Sequence, residues 1–418
     1  MAKTIAEKIL SAHAGKDLRQ GDYALCKVDF CLGQDGTSGL IIDALKEIGA
    51  KKLAASSRFC MVIDHSAPSP NIGVSAIHKK MRTFARDFDL TLYDIGCGVC
   101  HQVVLESGRV LPGDLVVGAD SHTCTYGALG ALSTGFGSAD LALTLASGRN
   151  WFKVPQTIKI VVDGKLPKGV YAKDLILHII GDLTADGCTY NSVEFTGSAI
   201  RALSIDGRFT ISNMAVEMGA KCGIMEPDKK TLAWLKKYTN KRIRPVFADK
   251  GAVYSDIRHY DASRLSPKIA RPHTVDNVVD MGKLKNKPID EAFIGTCTNG
   301  RLEDLKIAAS ILKGKKVDPK VRLIVAPASK PIFLEAMRSG IVEALVNAGA
   351  NVVTPGCGPC VGTHNGVPAD GEVVISTANR NFKGRMGNPN AFIYLASPAT
   401  VAVSALRGRF TDPRRYVR

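Results

Sequence analysis

Leu115-Val116-Val117-Gly118-Ala119-Asp120-Ser121-His122-Thr123 is the stretch that sets the reading of the chain. A short apolar run breaks into a polar turn, and Ser138 then stands where it would cap a helix from Ala139 to Ala146. The same order recurs on both sides. Arg58-Phe59-Cys60-Met61-Val62-Ile63 ends at Asp64-His65, and Leu92-Tyr93-Asp94-Ile95 runs into Gly96-Cys97-Gly98-Val99-Cys100-His101. Further on, Phe293-Ile294 precedes Gly295-Thr296-Cys297-Thr298-Asn299-Gly300. Val321 to Val325 reads as a strand, with a helix near Pro331 to Ala348 after it. Asn351-Val352-Val353 leads toward Pro355-Gly356-Cys357-Gly358-Pro359-Cys360, and Val373-Val374-Ile375 toward Asn379-Arg380-Asn381-Phe382-Lys383-Gly384-Arg385. Strand, polar loop and helix in repetition predict an α/β fold. Ligands of parallel α/β sheets bind beyond the carboxyl ends of the strands. Clusters far apart in sequence are therefore expected to converge on one site.

The 418 residues are too many for one small core, so two or three domains are expected, and the breaks in the pattern are read as three α/β domains at 1–155, 156–281 and 282–418. The texture changes near Pro155: Ile158, Ile160 and Val162 alternate with polar neighbours, as in a half-exposed strand opening a new unit. A helix from Asp174 to Ile180 should follow. The first ten residues, Met1 to Leu10, read as a helix with Thr4 and Glu7 in capping-box spacing, not as a secretion signal. No stretch approaches a membrane span, and the chain is read as cytoplasmic.

The net charge of +16 is spread along the chain, as expected of a solvated basic surface. No basic run is interleaved with aromatics, which argues against a nucleic-acid binder. Eleven cysteines, an odd number without a secretion signal, argue against a disulfide framework and for metal or redox use of a few. Cys357-x-x-Cys360 lies in a Gly/Pro-rich loop, and Cys297 in a Gly-flanked turn. Two thiolates at that spacing suit a zinc half-site, a redox dithiol or two cluster ligands, and Cys297 would make three. Cys97-x-x-Cys100 is a rival pair. Cys26, Cys31, Cys60, Cys124, Cys188 and Cys222 read as small buried hydrophobes.

Asp64-His65, His101, Asp120-x-His122 and Glu194 follow apolar runs. A carboxylate beside an imidazole fixes its tautomer and raises its basicity, as acid–base chemistry requires. A lone histidine is more often a cap or core residue; several at strand ends are harder to set aside. Arg380 and Arg385 share one polar loop, either as guanidinium forks for carboxylates or as a solvated basic turn.

These residues together resemble the aconitase superfamily. The resemblance rests on Gln34-Asp35-Gly36-Thr37, Asp64-His65, Cys100-His101-Gln102, Gly118-Ala119-Asp120-Ser121-His122-Thr123, Val193-Glu194, Gly295-Thr296-Cys297-Thr298-Asn299, Cys357-Gly358-Pro359-Cys360 and Asn379-Arg380-Asn381-Phe382, in family order over nearly the whole chain. It implies one [4Fe–4S] cluster held by Cys297, Cys357 and Cys360, with the fourth iron free of protein ligands. It implies acid–base roles for Asp64, His65, His101, Asp120, His122 and Glu194. Gln34, Ser121, Arg380 and Arg385 would bind substrate, and Asn379 would lie near the cluster.

Full-length aconitases continue into a mobile swivel domain that carries a serine base, and no segment here matches it. The length instead resembles the large subunits of the 3-isopropylmalate dehydratase and homoaconitase group, whose small partner subunit supplies that domain. The resemblance thus implies a hydro-lyase acting on a di- or tricarboxylate. Interconversion of 2- and 3-isopropylmalate, a step of leucine biosynthesis, is the first expectation; homoaconitate and 2,3-dimethylmalate chemistry are the alternatives. The readings from other classes are a cluster-free nucleic-acid-binding protein and an inactive regulatory subunit.

Overall fold

The computed structural model describes residues 2–54, 56–284 and 286–417. The expected N-terminal helix is present over Ile5–Ala14, while Met1 of the stretch quoted for it lies outside the described residues. Thr4 accepts the Glu7 N–H, and the Glu7 carboxylate accepts the Thr4 N–H at 2.9 Å. A cap of this kind contributes about 1 kcal/mol.

Three sheets carry the architecture. The first is fully parallel, in the order Thr91–Tyr93, Phe59–Val62, Phe30–Gln34, Leu115–Gly118, Leu132–Gly135. Its central strand, Phe30–Gln34, is buried along its whole length, as an apolar run between two neighbours must be. The second is also parallel: Cys222–Met225, Ser192–Thr196, Thr157–Asp163, Asp256–Asp261. The alternation over Thr157–Asp163 holds, with Ile158, Ile160 and Val162 buried and Asp163 exposed. The third has seven strands: Val278–Asp280, Lys268–Ala270, Phe392–Ala396, Val373–Ser376, Glu291–Ile294, Arg322–Val325, Asn351–Val352. The five from Phe392 to Val352 in that order are parallel, and the first two pair antiparallel at the edge. A two-stranded antiparallel ribbon joins Tyr23–Lys27 to Arg149–Lys153.

The order of each large sheet reverses at one place. In the first, the chain builds outward from Phe30–Gln34 through Phe59–Val62 to Thr91–Tyr93, then returns to the other side with Leu115–Gly118. In the third it runs from Glu291–Ile294 through Arg322–Val325 to Asn351–Val352, then returns with Val373–Ser376. Loops leaving two such strands part in opposite directions and open a crevice. The Gln34 and Asp120 loops flank the first crevice; the Cys297 and Arg380 loops flank the third sheet's. One apolar core joins the second and third sheets, packing Ile160, Ile180 and Val193 with Phe293, Ile324 and Val374.

Three local expectations are corrected. The helix read over Pro331 to Ala348 is two helices, Lys330–Arg338 and Ile341–Ala348, because Gly340 takes a left-handed φ of 71° between them. Gly137, not Ser138, is the cap of Ser138–Ser147. The helix read from Asp174 to Ile180 extends over Ala172–Leu183. Among the described residues no helix is long and apolar enough to cross a membrane.

Candidate active site

Cys297, Cys357 and Cys360 line one cavity with His65, His101, Asp120, Ser121, His122, Asn379, Arg380 and Arg385. Cys297 sits in the short turn Thr296–Asn299 that follows Glu291–Ile294. Thr296 enters that turn at φ 77°, a left-handed conformation that is strained for a β-branched residue. Its surroundings hold it there. The Thr298 N–H donates to the Thr296 hydroxyl at 3.0 Å, and the Gly295 N–H to the Thr377 hydroxyl at 2.9 Å. Cys357 is anchored by its own N–H, which donates to the Asp64 carbonyl at 2.7 Å and ties the third sheet's loop to the first sheet's.

The sulfurs face donors. The Asn213 side-chain amide reaches Cys297 Sγ at 3.2 Å and that of Asn379 at 3.5 Å, while Arg385 Nη2 reaches Cys360 Sγ at 3.3 Å. Burial pushes the Cys297 thiol up to about 11, and Cys357 well above its usual range. Donors aimed at buried sulfur fit thiolates that a metal centre has deprotonated better than inert thiols. Two more polar atoms here, Asn379 Oδ1 and Arg385 Nε, are buried and have no hydrogen-bond partner among the described residues. A tetrahedral zinc, with bonds near 2.3 Å, holds its thiolates about 3.8 Å apart. Among the described residues, the one cluster of possible ligands with all atoms within 4.8 Å of one another is Asp64, His65 and Cys357. The three thiols therefore do not close on a single small ion. Neither member of the rival pair is among the residues lining the cavity: Cys100 packs its thiol in apolar core with Val62 and Val104 while its N–H donates to Asp64 at 2.6 Å, and Cys97 is half-buried. The six cysteines read as hydrophobes are all buried.

A relay of acids and imidazoles lies against the thiols. His65 Nδ1 stands 2.7 Å from Asp64 Oδ1, and its Nε2 3.4 Å from Asp120 Oδ2. Burial opposes a charge on His65, but Asp64, Cys357 and Asp120 outweigh it and raise the imidazole well above its ordinary pKa. His101 Nε2 lies 2.8 Å from Asp120 Oδ1, and the His122 N–H donates to the same oxygen at 2.8 Å. Burial would raise the Asp120 carboxyl; His101, His122 and His65 hold it well below the usual range instead. His122 Nε2 is 2.8 Å from Glu217 Oε1, and Glu217 in turn receives Arg380 Nε at 2.9 Å. This side of Arg380 is thereby fixed, and among the described residues its two Nη groups have no protein partner.

Two expected residues are not brought into the cavity. Glu194 lies within the second-sheet strand Ser192–Thr196 and lines a separate cleft with Lys159 and Tyr254. Its carboxylate accepts the Ile5 N–H at 2.8 Å, closing the first turn of the N-terminal helix, and the Tyr254 hydroxyl at 2.8 Å. The acid–base role expected for Glu194 is corrected accordingly. Gln34 is buried at the end of its strand, where its side chain accepts the Gly36 N–H and caps the helix Asp35–Glu47. Two residues went unread. Asn213 ends the helix Ile205–Asn213, and Glu217 lies in the turn Met214–Met218 directly after it, so neither follows a strand. The one available signal was a carboxylate set among apolar neighbours.

A family profile described as the aconitase family (aconitate hydratase) matches residues 7–288 and 280–408. The chain is 51% identical to a 3-isopropylmalate dehydratase large subunit of Elusimicrobium minutum, over all of both chains. It is equally identical, over the same full extent, to a 3-isopropylmalate dehydratase large subunit of Thermotoga maritima. A probable methanogen homoaconitase large subunit of Methanosarcina mazei is 51% identical over 94% of this chain and all of its own. Identity at this level across the whole length, with the thiol, imidazole and guanidinium groups gathered in one cavity, leaves a plain conclusion: the chain belongs to the aconitase family.

Proposed function

We propose that this protein is the cluster-bearing large subunit of a two-subunit hydro-lyase that interconverts 2- and 3-isopropylmalate. The observation that carries the reading is the convergence of Cys297, Cys357 and Cys360 on the Asp120 relay and the free fork of Arg380. The names of the relatives support the substrate; because homoaconitase large subunits stand equally near, homoaconitate is the second reading.

The three cysteines would hold a [4Fe–4S] cluster, with Asn213, Asn379 and Arg385 donating to its sulfur ligands. When bound, such a cluster with one open iron supplies a Lewis acid for the departing hydroxyl. The chain's own groups do the rest. Arg380 presents its free Nη pair to a substrate carboxylate, its Nε side pinned by Glu217 so that little freedom is lost on binding. Arg385 adds positive charge beside Cys360. His65, charged between Asp64 and Asp120, is placed to protonate a leaving hydroxyl, and His101 shares the proton through Asp120. Ser121, on the cavity wall, offers substrate a neutral hydroxyl. A base for the α-proton is proposed to come from a small partner subunit. The division into three α/β units at 1–155, 156–281 and 282–418 belongs to the same proposal.

The test is anaerobic reconstitution followed by a substrate panel, with and without the cognate small subunit. The isolated chain should be brown, contain iron and sulfide, and show no turnover; adding the small subunit should restore activity on 2-isopropylmalate. Robust turnover by the single chain defeats the two-subunit reading, and preference for homoaconitate selects the second.

A further inference from the structure

The helix Ala172–Leu183 brings a lysine into the base of the site. Lys173 has no exposed surface, and its ammonium donates to two consecutive carbonyls, Thr377 at 2.8 Å and Ala378 at 2.6 Å. Those carbonyls lie just past the strand Val373–Ser376 and immediately precede Asn379 and Arg380. Among the described residues no carboxylate lies within ion-pair reach of it. The neighbouring Asp174 is turned to other work, accepting the Tyr171 and Lys268 N–H groups.

This placement is unfavourable for folding alone. A buried cation without a paired anion is expensive, and the first turn of a helix repels positive charge. Burial pushes the Lys173 ammonium down to about 7, and the groups opposing that push are, in order, Cys360, Cys297, Asp304 and Glu217. The foremost are the sulfurs proposed to carry the cluster. A second buried cation repeats the pattern. Arg301 donates to the Cys297 carbonyl at 2.6 Å and the Thr298 carbonyl at 2.8 Å, and to Gln102 at 2.9 Å. Each loop on either side of the third sheet's crevice is thus clamped through its carbonyls by a cation that, among the described residues, has no carboxylate within ion-pair distance.

We infer that Lys173 is a positioning residue that fixes the strand end from which Asn379 and Arg380 approach the thiols, and that its charge offsets the negative charge of the loaded cysteines. The inference rests on the cluster reading above. Positive charge near a cluster makes reduction easier, since net charge and hydrogen bonding around the sulfurs set the potential.

The experiment compares wild type, Lys173→Met, Lys173→Gln and Lys173→Arg after anaerobic reconstitution. Three quantities are read: the Tm of the cluster-free chain, the cluster's reduction potential by spectroelectrochemistry, and the rate of iron loss to a chelator. The expected result is a cluster-free Tm for Lys173→Met at or above wild type. In the loaded protein the potential should be more negative and iron loss about tenfold faster, about one charge-assisted hydrogen bond's worth. Lys173→Arg should return the potential toward wild type. Lys173→Gln retains donors without charge and covers the case in which methionine does not fold; its potential should match that of methionine. Unchanged potential and iron loss in the neutral variants, with wild type loaded, overturn this inference and leave the cluster reading standing. A wild-type chain that takes up no cluster overturns both.

Discussion

Glu194 and Glu217 are both buried glutamates, and their surroundings give them opposite characters. Glu194 meets neutral donors, a backbone N–H and a tyrosine hydroxyl. Burial dominates there and raises its carboxyl above the ordinary range. Glu217 meets His122 and Arg380, and although burial would raise it, those partners lower it. Neutral donors satisfy a carboxylate; charged partners keep it ionised and couple it to proton transfer and anion binding. The difference separates a helix anchor from part of a reaction site, and it is invisible in residue type.

The comparison breaks most severely if the thiols beside Glu217 are not the metal ligands. Cys297→Ser, Cys357→Ser and Cys360→Ser should each abolish the visible charge-transfer absorbance of reconstituted protein, with activity lost to background. Loss of that absorbance in Cys97→Ser or Cys100→Ser, with the other three intact, would move the centre elsewhere. Glu217→Gln should come next. It keeps an acceptor but removes the charge that orients His122 and Arg380. Two charged hydrogen bonds are weakened, each worth about 1.5–3 kcal/mol, and each 1.4 kcal/mol is tenfold, so kcat/KM should fall by about a hundredfold or more with the absorbance unchanged. Arg380→Lys removes the planar fork but keeps a positive charge. The expected loss is about ten- to several-hundred-fold in kcat/KM. A lysine variant close to wild type would reduce Arg380 to a surface residue.

How much of this was legible follows from what the sequence can encode locally. Asp64, His65, Asp120, His122, Cys297, Cys357 and Arg380 each follow a short apolar run that forms a parallel strand, so the strand-end rule located them before any packing was known. That rule is a statement about one strand and its loop. Glu217 reaches His122 and Arg380 from the segment after a helix, Met214–Met218, and only the packing of that segment against them reveals it. Glu194 showed the converse error. It reads as a polar break after an apolar run, but the strand Ser192–Thr196 continues through it, and its carboxylate is used by the N-terminal helix 189 positions away. The break between Lys330–Arg338 and Ile341–Ala348 was missed for a smaller reason. Glycine within an apolar periodicity marks either a tolerated gap or a left-handed stop, and the φ of Gly340 decides which.

The smallest expected effect tests the structural half of the comparison. Glu194→Gln leaves an acceptor for the Ile5 N–H and touches no residue of the thiol cavity, so kcat/KM should remain within about threefold of wild type. Its signature lies in stability against pH. The folded pKa of Glu194 is raised above the unfolded value of about 4.3, so the folded chain binds the extra proton between the two. The wild-type carboxyl therefore contributes most at and below the unfolded pKa, and that contribution is lost as pH rises toward and through the raised folded value. Glutamine does not titrate. Near pH 4 the two proteins should differ by about 1 kcal/mol or less, the worth of one neutral hydrogen bond. Between pH 4 and pH 8 the difference should move in favour of glutamine, measured as urea midpoints of the cluster-free chain at four or five pH values. If the wild type instead gains on the variant with rising pH, Glu194 is held as an ionised carboxylate like Glu217, and the two glutamates are not the contrast their neighbours imply.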